Sequence, residues 1–387
     1  MTSSIPDQLG PFQVLGLLGS GGMGEVFLGR RRGPGGFSRA VVLKRLLPHL
    51  ARQPSTRAMF LDEARILAGI RHRNVVQVQE LGEDGDQLFI AMEYLEGETL
   101  ARLVREQISK AAPQVYRDCA YIMAEVASGL AAAHSLRDPS GHQLNVVHRD
   151  VSLSNIFVTY DGEVKLIDFG IAKSDNRLHQ TEPGLMRGTS AYMSPEQVTG
   201  RSLDARSDIF SFGVVLFELT TRRRLFKRAS VHETHKAILR GIANSPRDSY
   251  PDYPLALDEV CMKCLAVRPE DRYQSAETLY RDLKCAIDLL PGLGSPDEAL
   301  SRQMQTFFAD RIASRSKMLQ QLKEGGPVSA VVPATDNGAD DDSDLKSPVV
   351  GMSSFVEGYT SPKRRMAVAG IAMLLAGLAG FLVVLGM

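Results

Sequence analysis

The chain has 387 residues, 44% hydrophobic and 23% charged, which suits two or three folded domains at about 150 residues each and excludes a wholly disordered or fibrous protein. Its 45 Lys+Arg and 45 Asp+Glu cancel, so no global basic field can hold nucleic acid, and no nucleic-acid partner is expected. Four cysteines are too few for a disulfide scaffold and fit a reducing compartment; the N-terminus lacks a basic stretch followed by an apolar run, so no signal peptide is expected.

In chain order, short β-type runs at 12–18, 24–30, 39–46, 75–81 and 88–94 come first, interrupted by a helical pattern over 56–70. After Glu96 the pattern is mostly helical, as at 121–136 and 207–221, with short strands at 155–160 and 163–169. A β-rich part followed by a larger helical part predicts two lobes with a cleft between them. The last helix of this region spans 275–290, with Leu279, Leu283, Ala286 and Leu290 on one face and Pro291 as its stop.

Beyond 290 the composition changes. Residues 291–325 predict a helical extension, amphipathic over 297–324, with Met304, Phe307, Phe308, Ile312, Met318 and Leu319 as its apolar residues and Gly325-Gly326 as its end. Residues 326–365, rich in Pro, Gly, Ser and Asp, read as a disordered tether. From Met366 onward there is no charged residue. A helix of this length spans about 33 Å against about 30 Å of hydrocarbon, so 366–386 reads as a transmembrane helix. A buried soluble helix is the competing reading, disfavoured by the lack of a polar face. Lys363-Arg364-Arg365 on its N-terminal flank favours a single-pass C-terminal anchor with the preceding domain in the cytoplasm. Ala372, Ala376 and Gly380 form a small-residue stripe through which two such helices could approach as a homodimer.

Three segments carry chemistry. Leu18-Gly19-Ser20-Gly21-Gly22-Met23-Gly24-Glu25-Val26 contains G-x-G-x-x-G-x-V between strands; its glycines let backbone N–H groups approach phosphate oxygens, although a glycine hairpin without ligand has the same pattern. A strand then ends in Lys44, and Glu63 follows inside a helix; an ammonium and a carboxylate from two elements could pair and aim the lysine at phosphates. The strongest signal is His148-Arg149-Asp150-Val151-Ser152-Leu153-Ser154-Asn155 followed by Asp168-Phe169-Gly170. One carboxylate can accept a hydroxyl proton, while an amide oxygen and a second carboxylate supply the hard donors that Mg²⁺ favours. Cys261 and Cys264 have no second ligand pair and read as residues of a packed helix, not as a zinc site.

Taken together, in this order and with these gaps, residues 12–290 resemble the eukaryotic-type Ser/Thr protein kinases found in bacteria. The resemblance implies an α+β, two-lobed kinase fold with a β-rich N-lobe and a helical C-lobe. It implies that Gly19, Gly21 and Gly24 cover the phosphates of ATP, and that Leu18 and Val26 line the adenine site. Lys44 would contact the α- and β-phosphates, held by Glu63. Met92 would be the gatekeeper, with Glu93, Tyr94 and Leu95 as the hinge that binds adenine. Asp150 would be the catalytic base, and Asn155 and Asp168 the Mg²⁺ ligands, with Mn²⁺ as an alternative. Glu196 would pair with Arg272, and Asp208 would brace the catalytic loop. The partners implied are ATP and protein substrates. The compartment implied is the cytoplasmic face of an inner membrane, by analogy with bacterial kinases.

One departure stands out. Most Ser/Thr kinases carry lysine two residues after the catalytic aspartate, and here Ser152 occupies that position, a neutral donor where a charge is usual. A pseudokinase scaffold that binds nucleotide without catalysis is therefore the alternative function. Gly188-Thr189-Ser190-Ala191-Tyr192 matches the Ser/Thr form of the segment before Pro195-Glu196 and favours Ser/Thr hydroxyls. Arg149 could pair with a phosphate on the following loop, where Thr181 is the expected acceptor.

Overall fold

Period-two alternation of apolar residues gives the first part of the chain its sheet. The computed structural model describes residues 5–21, 23–170, 189–242, 244–292 and 294–323. Strands β1 (Gln8–Leu9), β2 (Phe12–Ser20), β3 (Gly24–Arg32), β4 (Ser38–Leu46), β5 (Val78–Asp84) and β6 (Gln87–Glu93) form an antiparallel sheet in the order β1-β2-β3-β4-β6-β5. One of its faces buries Phe12, Val14, Phe27, Val41, Leu43 and Phe89. Because successive side chains alternate, burying Val41 and Leu43 places Val42 and Lys44 on the opposite face.

Helices α1 (Pro48–Ala51) and α2 (Pro54–Gly69) follow β4. The buried residues of α2 include Phe60, Glu63, Ala64 and Leu67, the spacing of a core-facing stripe. Glu63 thus occupies a position where an apolar residue would be usual. The strand expected over 75–81 begins only at Val78. Val75 and Val76 instead bridge to the other lobe: the Val76 N–H donates to Leu166 O at 2.9 Å, and Leu166 N–H to Asn74 O at 2.8 Å.

The helical lobe begins at β7 (Gly97–Thr99), which pairs with β8 (Ile156–Thr159), and β8 pairs in turn with β9 (Val164–Leu166) to complete a three-stranded sheet. Around it lie α3 (Leu100–Ser109), α4 (Tyr116–His134), α5 (Pro195–Thr199), α6 (Ala205–Thr221), α7 (Val231–Arg240), α8 (Pro246–Ser249), α9 (Leu255–Cys264) and α10 (Ala276–Leu289). Every residue of α6 from Ser207 to Thr220 is buried, so this helix forms the centre of the lobe. The two-lobed α+β arrangement expected from the sequence is the one observed.

The helix expected over 297–324 is divided into α11 (Pro296–Phe307) and α12 (Ala309–Lys323). Phe308 leaves helical geometry, at φ −117° and ψ 23°, and its ring is buried beside Tyr160. The tether expected over 326–365 and the membrane span expected over 366–386 lie outside the described residues. Among the described residues no helix is long and apolar enough to cross a membrane.

A buried ion pair ties α5 to the end of the helical lobe. Arg272 donates to both oxygens of Glu196, at 2.7 and 3.0 Å, and Ser207 Oγ adds a bond of 2.6 Å. Burial alone would raise the Glu196 carboxyl, but the bonds from Arg272 and Ser207 outweigh it and hold the group below its ordinary 4.5. Arg272→Ala leaves this carboxylate buried and unpaired, and should destabilise the domain by about 3–5 kcal/mol in urea unfolding, while Arg65→Ala, which breaks an exposed pair with Asp62, should cost less than about 1 kcal/mol. A carboxyl held low when folded gives stability that is complete above 4.5 and is lost as pH falls through the depressed value, and this acid dependence should weaken in Arg272→Ala.

Candidate active site

The alternation of β4 and the buried stripe of α2 bring Lys44 and Glu63 together: Lys44 Nζ lies 2.8 Å from Glu63 Oε1. The same ammonium donates to Asp168 Oδ1 at 3.0 Å, so one cation joins the sheet, α2 and the segment after β9. Burial disfavours the ammonium, but Asp168 and Glu63 outweigh that cost and hold Lys44 above its ordinary pKa, so it stays charged.

Above this cation lies the β2–β3 hairpin. Val26 pairs in register with Lys44, and Gly19 with Val26. Gly21 N–H donates to Gly24 O at 2.9 Å and closes the turn. A Cβ on Gly24 would meet Arg45 O at 2.6 Å, so only glycine fits against β4 there. Among the described residues, a Cβ on Gly21 would meet nothing closer than 3.9 Å, so a ligand could approach its backbone. Leu18 is buried in one apolar cluster, against which Val26, Val42 and Tyr94 pack. Glu93 is held at the end of β6 by the Gln77 N–H at 2.9 Å and Lys165 Nζ at 3.0 Å, both on its Oε1. Leu95 and the buried Met92 belong to the larger core that runs through both lobes.

The segment 148–155 is shaped by buried polar contacts. Asp208, in the first turn of α6, accepts the His148 N–H at 2.7 Å and the Arg149 N–H at 2.8 Å, and His134 Nε2 lies 2.8 Å from it. Burial alone would raise the Asp208 carboxyl, but these partners hold it low and ionised. Burial lowers the His148 pKa, so its ring is neutral; it accepts the Asp150 N–H and lies 4.2 Å from the Phe169 ring. Arg149 (φ 67°) and Asp168 (φ 53°) both adopt left-handed backbone, which side chains rarely take and which these contacts must hold in place. Gln197, whose side chain completes a capping box with Ser194, also donates to Arg149 O at 3.0 Å.

Asn155 Nδ2 donates to Asp150 Oδ2 and to Asp150 O, both at 2.8 Å. With the nitrogen committed, the amide has only its oxygen to offer a cation. The Ile167 N–H donates to Asn155 O at 3.0 Å and the Gly170 N–H to His148 O at 2.8 Å, so the Asp168 segment lies directly beside the Asp150 loop. Hard oxygen donors from Asn155 and Asp168 on adjoining segments fit a magnesium ion that takes its remaining ligands from phosphate and water.

Ser152 is buried, and among the described residues its Oγ finds no hydrogen-bond partner. Thr181 lies outside the described residues. Two sets of residues are missing from the sequence reading: His134, which orients Asp208, and the charges of α12 that reach the hinge (below). His134 sits at the end of α4, whose sequence pattern shows apolar residues at helical spacing and gives no sign of which way the ring turns. Arg311 and Arg315 show only as a spacing of four on an otherwise amphipathic pattern.

The protein kinase domain family matches residues 12–283. The tyrosine-protein kinase MasK of Myxococcus xanthus is 40% identical over 336 residues, which are 85% of this chain and 50% of that protein. The serine/threonine-protein kinase PrkC of Bacillus subtilis is 33% identical over 279 residues, 72% of this chain and 41% of that protein. This chain thus spans half or less of the length of these relatives. Among solved structures, the Mycobacterium tuberculosis PknI kinase domain shares the fold, with a TM-score of 0.54 at 24% identity over 73% of this chain and 99% of that one.

Asp208→Ala removes the acceptor of two backbone N–H groups in the Asp150 loop. The variant should lose about 3 kcal/mol of stability, and amide hydrogen exchange at His148 and Arg149 should accelerate more than at the β2–β3 hairpin. Equal protection in parent and variant would contradict the bracing role.

Proposed function

Because this chain belongs to the protein kinase domain family, among the eukaryotic-type kinases of bacteria, we propose that it transfers the γ-phosphoryl group of ATP to serine and threonine hydroxyls of proteins, its own included. The observation that carries this reading is the Lys44 ammonium, 2.8 Å from Glu63 and 3.0 Å from Asp168. Those contacts hold a cation beneath a glycine hairpin, where the α- and β-phosphates of ATP need one. Asp150 takes the proton of the attacking hydroxyl as its oxygen bonds to the γ-phosphorus, and the bond to the bridging oxygen breaks to leave ADP. Asn155 fixes the Asp150 carboxylate for that task. A magnesium ion held by Asn155 and Asp168 would supply charge to the phosphate oxygens.

Support for Ser/Thr rather than Tyr hydroxyls comes from the Gly188-Thr189-Ser190 segment and from relatives named as Ser/Thr kinases; MasK is named as a tyrosine kinase. Arg149, whose Nε is buried without a hydrogen-bond partner among the described residues, would take a phosphate on Thr181, and Thr181→Ala would then lower activity. Residues 366–386 would anchor the chain in the inner membrane with the kinase domain in the cytoplasm, and the Ala372, Ala376, Gly380 stripe would let two chains pair there.

A second reading, a nucleotide-binding pseudokinase, is favoured by one observation: the buried Ser152 hydroxyl, without a partner among the described residues, where the family usually has a lysine. The full chain incubated with labelled ATP and Mg²⁺ separates the two. Phosphoserine and phosphothreonine should accumulate, Asp150→Asn should slow transfer by about a thousandfold, and Lys44→Met should abolish it. Nucleotide binding with the same trace of label in all three proteins would leave only the pseudokinase; phosphotyrosine alone would overturn the choice of hydroxyl.

A further inference from the structure

Helix α12 lies outside the matched residues 12–283, yet it reaches the hinge that joins the lobes. Its foot is secured on the helical lobe through α11. Leu300, Met304 and Phe308 are buried there, Ser301 Oγ donates to Tyr160 O at 3.1 Å, and Lys110 Nζ donates to Phe307 O at 3.0 Å. Its far end enters the sheet lobe. Met318 shares a buried cluster with Leu18 and Leu28, and Val26, Val42 and Tyr94 pack against that cluster. Leu18 and Val26 are two of the residues placed around adenine.

Between these ends lies a buried charge cluster. Glu98, in β7 just after the hinge, is fully buried. It accepts Tyr160 Oη at 2.6 Å and Arg311 Nε at 2.7 Å, and Arg315 Nη2 stands 3.2 Å away; Arg102 is more distant at 3.7 Å. The two nearest cations therefore come from α12. A carboxylate buried so deeply is tolerated only when paired. Arg315 is itself buried and donates through Nη1 to Gly97 O, and it lies over the Tyr160 ring. A Cβ on Gly97 would meet Val158 O at 2.1 Å, so the residue is gripped between β8 and α12 with no slack.

We infer that Arg315 and Met318 are positioning residues for the nucleotide: the extension α11–α12 is a brace between the lobes that fixes the end of the hinge and the adenine-facing wall of the sheet. A hinge held in its binding geometry before ATP arrives loses less freedom when ATP binds. The inference rests on the nucleotide-site reading above.

The test uses the full chain and equilibrium titration with a fluorescent ATP analogue and Mg²⁺, beside ATP KM, kcat and thermal unfolding. Arg315→Met and Met318→Ala should each weaken nucleotide binding and raise ATP KM about tenfold, with kcat at saturating ATP close to the parent's. Met318→Leu, which keeps the apolar volume, should bind like the parent. Leu257→Ala is the control: it opens a cavity in α9 of the helical lobe, outside the brace, and should lower the unfolding temperature while changing binding by less than about twofold. Should Arg315→Met fail to fold, Met318→Ala against Leu257→Ala still decides. Binding unchanged in the α12 variants, or weakened no more than in Leu257→Ala, overturns the brace and leaves the nucleotide site standing. A parent chain that binds no analogue overturns both.

Discussion

An ammonium between two carboxylates is stable in a half-buried cleft only while all three groups are delivered together, and Lys44 is delivered by β4, Glu63 by α2 and Asp168 by the segment after β9. Each of those elements is placed by ordinary apolar packing: Val41 and Leu43 on one face of β4, Phe60, Ala64 and Leu67 on α2, Phe169 against His148. The charges contribute little net stability for being paired in this way. What they do is couple the position of α2 and the 168 segment to the sheet, so a cation stands ready where phosphate charge would be.

A second set of buried charges serves the backbone rather than a ligand. Asp208 holds two N–H groups of the Asp150 loop, and Glu196 and Arg272 fasten α5 to the lobe end. Glu218, Arg224 and Tyr192 form a third buried cluster, with Arg224 Nη1 2.7 Å from Glu218 Oε2 and 2.6 Å from Tyr192 Oη. All three clusters touch α6 or its N-terminal approach. A central helix buried on every side is the one place from which short polar side chains can reach several loops at once. This explains why a segment whose apolar residues fall at helical spacing also carries buried Ser207, Asp208, Ser211 and Glu218.

Glu98 follows the same logic in β7, at the hinge end of the helical lobe, with a difference of origin. Its partners come from beyond the family's boundary, on a helix that first packs against the helical lobe and then crosses to the sheet. The hinge of this protein is therefore enclosed by its own C-terminal extension, and residues 12–283 alone would leave a buried carboxylate without its two nearest cations.

Local order along the chain was enough to reveal the glycine hairpin, Lys44 at the end of an alternating strand, the Asp150 to Asn155 loop and Asp168-Phe169-Gly170, because each requirement there is met by residues only a few positions apart. The amphipathic extension was legible for the same reason, but its break at Phe308 was not, since both sides of the break keep helical periodicity and the ring packs beside Tyr160, far away in the chain. Nor could periodicity show that Val75 and Val76 leave the sheet to bridge to β9, or that His134 turns toward Asp208 from a helix of alanines. The amino-acid order by itself determined which groups are available for phosphoryl chemistry and on which kind of element each lies. Only the tertiary structure decided which of them meet, because contacts such as Glu98 with Arg315 join residues more than two hundred positions apart, and pairing at that distance depends on the packing of the helices between them.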